Sequence, residues 1–206
     1  MSRLSFRDQV LRVREDAIVA SVNRLLAERG FDAMTVDAVA ADVGIAKASL
    51  YKHFASKEEL AGAAMVRVLD QALAEVERLR AGAPALPAQH LRAITEWAMR
   101  EQLAGRMPSL PSQNSSLRAA LLGNRAYIDR VLQLSDRLGE WIAAAQAAGE
   151  IDPGLPGEVI LLTLYARACD PVLGVLRAGG NFGDDELVAL LLRTCFEGLV
   201  PRSASR

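Results

Sequence analysis

Apolar residues return every three or four positions along nearly all of this chain, and nowhere does an apolar–polar alternation persist. A period near 3.6 stacks side chains on one face of an α-helix, whereas a strand needs a period of two. The predicted fold class is therefore all-α. Leu11, Ile18, Val22 and Leu25 form a first stripe, and Gly30 supplies its stop. Turn residues divide the remainder, giving about nine helices in all.

Short helices are expected near residues 35 to 43 and 46 to 54. A long one should follow Ser56, a good N-cap, with Glu59 completing a capping box, and run to about Arg80. The segment AGAPALPAQ, with two prolines, reads as a turn, and Leu91, Ile94 and Ala98 as the inner face of a helix ending near Leu103. The stretch GRMPSLPSQNSS reads as the most mobile loop. A short helix over Leu117 to Leu122 leads to a longer one with Tyr127, Val131, Leu134, Leu138 and Trp141 on one face and a stop at Gly149. A strongly apolar helix is expected over about 156 to 178, and Asp184 as N-cap of a last one to about Leu199.

Composition bounds function. Hydrophobic residues make up 51% and charged residues 24%, so a real core is expected. No run reaches about 18 uninterrupted apolar residues, and the amino-terminal segment carries scattered charge; cytoplasmic residence without a membrane partner is the expectation. Cys169 and Cys195 lie far apart in apolar helical patterns and read as core residues, not as a disulfide or zinc site. The histidines are His53 and His90 alone, and no phosphate loop, metal-ligand spacing or nucleophile motif is present. Neither catalysis, metal nor cofactor is expected.

The net charge of -1 announces no nucleic-acid partner, but its distribution does. The chain has three lysines, Lys47, Lys52 and Lys57, all in one short segment with His53, and no acidic residue occurs from Val43 to Lys57. A solvated helix face normally mixes signs, so this patch suits an anion. Around it lie the elements of two short helices joined by a tight turn, a unit that lays its second helix in the DNA major groove. Thr35 suits an N-cap, Val36, Val39 and Ala40 a buried side, and Gly44 the reversal; Val43 and Ile45 fit beneath the turn. In the second helix Leu50 and Phe54 face inward, leaving Lys47, Ala48, Ser49, Tyr51 and Lys52 outside. Lys47 and Ser49 fit base edges, Ala48 a close backbone approach or a thymine methyl, and Tyr51, Lys52, His53 and Lys57 phosphates.

The run VAADVGIAKASLYKHF followed by SKEEL closely resembles the DNA-binding signature of the TetR family: an apolar helix, a glycine turn, then tyrosine, a basic or polar position, histidine and phenylalanine. The resemblance covers roughly residues 14 to 60 and implies DNA contacts by Thr35, Lys47, Ser49, Tyr51, His53 and Lys57. Ala46 departs from it, standing where the family often has a capping serine or threonine; losing a cap costs about 1 kcal/mol. The implied organisation is a helix-turn-helix domain over 1–60 and a helical ligand-binding and dimerisation domain over 61–206. The implied function is a regulator, commonly a repressor, released from a palindromic double-stranded operator by a small, mostly apolar effector.

The residues support dimerisation independently, because VILLTLYARACDPVLGVL and LVALLLRTCFEGLV are apolar on more than one face, as helices buried against a partner would be. Candidate effector contacts are Trp97, Met99, Met107, Tyr127, Trp141 and Tyr165, each of which also suits plain core. Arg167 and Asp170, two charges in an apolar helix, form either an ion pair or a ligand-reading group, and Pro171 should bend that helix and free a backbone carbonyl. Two other functions fit less of the sequence: a DNA-binding dimer without a ligand, and a helical small-molecule binding protein with a vestigial helix-turn-helix.

Overall fold

A computed structural model describes residues 6–107 and 116–198, the first seven of these for their backbone only. Among them are ten helices and no strand: α1 (Phe6–Ala33), α2 (Val36–Val43), α3 (Lys47–Leu50), α4 (Lys57–Ala81), α5 (Pro87–Leu103), α6 (Ser116–Gly123), α7 (Arg125–Ala147), α8 (Gly157–Ala168), α9 (Pro171–Ala178) and α10 (Asp184–Glu197). Most of the loop predicted around residues 105 to 116, and the side chain of Leu11, lie outside the described residues. The chain divides into two compact units, Met1–Glu75 with Ala104–Asp136 and Val76–Leu103 with Arg137–Arg206. The division thus falls within α4 and α7 rather than near residue 60.

The first unit is organised by the predicted stripe. Ile18, Val22 and Leu25 are buried with Met34, Val39, Leu50, Leu60 and Ala64, while Leu117 and Leu121 of α6 close the same core. Non-helical φ/ψ at Gly30 breaks α1 three residues before its end. The start of α4 follows the capping-box logic with one shift: Ser56 Oγ accepts from the Glu59 N–H at 3.0 Å, and the Glu59 carboxylate takes the N–H of Ala55 at 2.6 Å.

In the second unit α5 packs against α8, α9 and α10. Met99, Leu173, Leu187, Val188, Leu191 and Leu192 form one buried cluster there. Gly183, not Asp184, is the N-cap of α10, and Asp184 pairs with Arg177 at 3.0 Å. Beside α4, α7 contributes Arg137 to Glu77 and Glu140 to Arg80, pairs that advance together along both helices and so make the two parallel.

The apolar stretch expected as one bent helix is broken. Helix α8 ends at Ala168, and α9 begins with Pro171 at its first position, where the missing N–H costs nothing. The carbonyl that Pro171 cannot serve is not left free, because the Asp170 N–H reaches Arg167 O at 3.4 Å. Asp170 caps α9 by accepting from the Val172 N–H at 2.9 Å and takes the Arg167 guanidinium on its other oxygen at 2.5 Å. Of the two roles left open for this pair, the structure displays the ion pair.

Burial pushes the Cys169 thiol up to about 11, and burial likewise raises Cys195, against the nearby Arg167 and Arg92 charges. Raising a thiol from 9.0 to about 11 cuts its thiolate near neutral pH about a hundredfold. Alkylation of Cys169 by iodoacetamide, followed by mass spectrometry, is expected to be slow in the folded protein and to reach ordinary thiol rates in urea.

Candidate nucleic-acid interface

The two helices that carry the lysines are set by their caps. Thr35 is extended, and its hydroxyl accepts from the Ala38 N–H at 3.1 Å, which fixes where α2 begins. Gly44 ends α2 at φ 72, ψ 34, the left-handed region that costs any other L-residue. Its N–H returns to α2, and the Ile45 N–H reaches Ala40 O at 3.0 Å. A Cβ at position 44 would meet nothing within 4 Å. Gly44→Ala is therefore expected to cost about 1–2 kcal/mol through backbone conformation alone, read as a lowered urea midpoint with an unchanged slope.

Helix α3 is short. Its helical residues are Lys47–Leu50, and turns carry the chain on, with the His53 and Phe54 N–H groups both bonded to Leu50 O at 2.9 Å. The Ala46 N-cap makes no side-chain bond, as its sequence implied. Leu50 is buried and Phe54 packs on the same core, which turns Lys47, Ala48, Tyr51 and Lys52 outward, all exposed, with Ser49 half-buried beside them. A two-helix unit of this geometry is a helix-turn-helix, the class that reads duplex DNA with its second helix.

Space modifies what the acid-free run implied. Lys47 Nζ bonds Asp37 at 2.8 Å, and this contact raises its pKa further above the ordinary lysine value. Lys57 Nζ lies 4.3 Å from the centre of the Phe31 ring and donates to Asp32 O at 3.2 Å, so it also fastens the end of α1. His53 is half-buried, its Nδ1 3.4 Å from a Glu15 oxygen. Asp37, Glu15 and Phe31, none of which the sequence singled out, reach the site by tertiary packing. Nearby, Asp42 accepts from Ser21 at 2.5 Å and from Arg24, and these two bonds hold its carboxyl below the usual range.

The candidate effector contacts are divided between the two units. Met107 is buried and Tyr127 packs on the core of the first unit, whereas Trp97, Trp141, Tyr165 and Asp170 belong to the second. Trp141 is buried and stacked on His90, ring centres 4.8 Å apart. Trp97 and Tyr165 are half-buried on α5 and α8, which pack together. In the same unit Gln102 donates to Asp170 O at 3.0 Å and keeps a buried Oε1 without a partner, a polar group that nothing in the sequence singled out.

Residues 18–64 match the family described as bacterial regulatory proteins, tetR family. The stretch that holds α2 and α3 is thus similar to the DNA-binding domain of that family. An uncharacterized HTH-type transcriptional regulator of Mycobacterium bovis is 45% identical over 58 residues, covering 28% of this chain and 29% of that protein. Another, of Mycobacterium tuberculosis, is 32% identical over 71 residues, covering 34% and 33%. The matches span about a third or less of these curated relatives' length. The fatty acid degradation regulator FadR of Bacillus halodurans superimposes with a TM-score of 0.69 at 15% identity over 92% of this chain and 97% of its own. The transcriptional regulator FadR of Bacillus subtilis, solved in complex with stearoyl-CoA, gives 0.65 at 18% identity over 90% and 99%. These likenesses show that the fold is shared well beyond the helix-turn-helix.

Proposed function

We propose that this chain is a cytoplasmic, homodimeric transcriptional regulator that grips a palindromic operator with α3 and its flanking residues and is released by a small, mostly apolar effector bound in the helical second unit. The observation that carries the DNA reading is the Gly44 turn, which places a short helix whose outward face is Lys47, Ala48, Tyr51 and Lys52. Lys47 and Ser49 read base edges, and Lys52, Tyr51, His53, Thr35 and Lys57 take phosphates. The effector reading is supported by the half-buried Trp97 and Tyr165 on packed helices, the unpartnered Gln102 Oε1, and the stearoyl-CoA held by the Bacillus subtilis protein of like fold.

Helix α4 carries the signal, being one helix from Lys57 in the first unit to Ala81 in the second. An effector that binds the non-operator state more tightly by about 1–3 kcal/mol lowers operator affinity by the same factor. The test begins by selecting duplexes from a random pool at modest salt and then titrates stearoyl-CoA while following Trp97 and Trp141 fluorescence. The expected results are a palindromic consensus, saturable quenching, and a five- to 150-fold loss of duplex affinity, roughly the span of such coupling energies. Failure to select any duplex overturns the regulator; selection without a ligand effect leaves a constitutive DNA-binding dimer.

A further inference from the structure

We infer that Lys52 is a lysine-acylation site: an activated acyl group, carried as a thioester or an acyl phosphate, transfers to its ε-amine and disengages the operator. The second half of this inference rests on the DNA reading proposed above.

Lysine is confined to the reader. Lys47, Lys52 and Lys57 are the only lysines of this sequence, and the other positive side chains are arginine, apart from two histidines. A guanidinium stays charged at any ordinary pH, whereas a lysine amine is a ready acyl acceptor. Acylation of side-chain amines therefore falls within the helix-turn-helix.

The three amines are not equivalent. Lys47 Nζ bonds Asp37 at 2.8 Å, and that bond raises its pKa, which shrinks the neutral, nucleophilic fraction. Lys57 is half-buried, with its Nζ 4.3 Å from the centre of the Phe31 ring and donating to Asp32 O at 3.2 Å. These two contacts hold the nitrogen against the protein and shield it from an incoming acyl carbon. Lys52 lies in the turn after α3, exposed, and its side chain makes no hydrogen bond, ion pair or ring contact among the described residues.

The chemistry needs no other group. The neutral amine attacks the acyl carbon, and an N–C bond forms as the C–S or C–O bond breaks. The leaving thiolate or phosphate takes the proton that the nitrogen sheds, and nothing is oxidised or reduced. The resulting amide is uncharged, so each protomer loses one cation from the surface proposed to meet phosphate.

The test treats the full chain, without DNA, with acetyl phosphate and separately with acetyl-CoA, and follows each lysine by peptide mass spectrometry. Lys52 is expected to react about fivefold or more faster than Lys47 or Lys57, and Asp37→Asn should speed Lys47 alone. Reaction with either donor supports the site and names the source. Chain acetylated at Lys52 should then bind every duplex about tenfold more weakly, with a salt slope flattened by about 0.9 per protomer. Lys52→Arg given the same exposure should keep its own untreated affinity. The site is overturned if Lys47 or Lys57 reacts as fast as Lys52 with both donors, or if neither donor modifies Lys52. Unchanged affinity of the Lys52-acetylated chain for a duplex that the untreated chain binds overturns the switch. If the untreated chain binds no duplex, the regulator reading fails instead, and the order of rates alone decides whether Lys52 is the acylation site.

Discussion

Replacing Val159 and Leu162 together by glutamate is expected to give a folded monomer that loses its operator. Val159, Leu162 and Ala166 follow at spacings of three and four, so they share one side of α8, and all are exposed, as is Leu155 just before the helix. Val159 is 53% and Leu162 57% exposed, and Val175 on α9 reaches 71%. The stretch Gly157–Ala178 is apolar enough to cross a membrane, yet only 17% of its most apolar part is buried within the protomer. The break at Cys169–Asp170 and the Arg167–Asp170 pair in its middle suit a protein partner better than lipid. In the proposed dimer a second copy related by a two-fold axis would present the same stripe to this one, the self-complementary arrangement of isologous dimers. Burying a valine or leucine contributes roughly 1.5–3 kcal/mol, and a carboxylate in its place costs more than that gain. A palindromic operator presents half-sites about 34 Å apart to two linked readers, and unlinking them forfeits about 10²–10⁴ in affinity. Sedimentation should show the monomer, circular dichroism an unchanged helix content, and mobility shifts the lost complex. A double mutant that stays dimeric sinks the assignment of this face.

Leu191 on α10 marks the limit of the sequence pattern. A greasy helix near the carboxy terminus reads equally as interface or as core, and Leu191 is core, 7% exposed and packed with Met99, Leu173 and Leu187. A charge there unfolds the second unit before it says anything about a partner. Periodicity gave the helices and their inner faces because it reports which side of a helix is buried; it does not say in what. The same ambiguity covers Tyr127 and Trp97, which look alike as candidates and belong to different units. The reader was far more legible. Its caps and turn are local, so Thr35, Gly44, Ser56 and Glu59 announce themselves within a few residues. Its salt bridges are not local: the sequence shows no acid beside Lys47 or His53, and the fold supplies Asp37 and Glu15.

Lys47→Ala is expected to cost about 1–3 kcal/mol of operator binding and to relax the base preference at the pair it touches. Lys47 stands at the first position of α3, where side chains reach base edges, and its bond to Asp37 holds it there fully charged. Lys52 is proposed to take a phosphate rather than a base, so Lys52→Ala should weaken all duplexes alike and flatten the slope of log affinity against log salt by about 0.9 for each phosphate no longer neutralised. A homodimer carries this lysine twice, so the change in slope doubles. Asp37→Asn separates the two lysines further: it removes the carboxylate that competes with DNA for Lys47 and should raise affinity for unrelated duplexes more than for the operator. The three variants therefore move specificity and salt slope in different combinations, measured by mobility shift at several salt concentrations on matched and scrambled duplexes. A common, uniform loss in all three would mean that α3 acts as a generic cationic patch and reads no sequence.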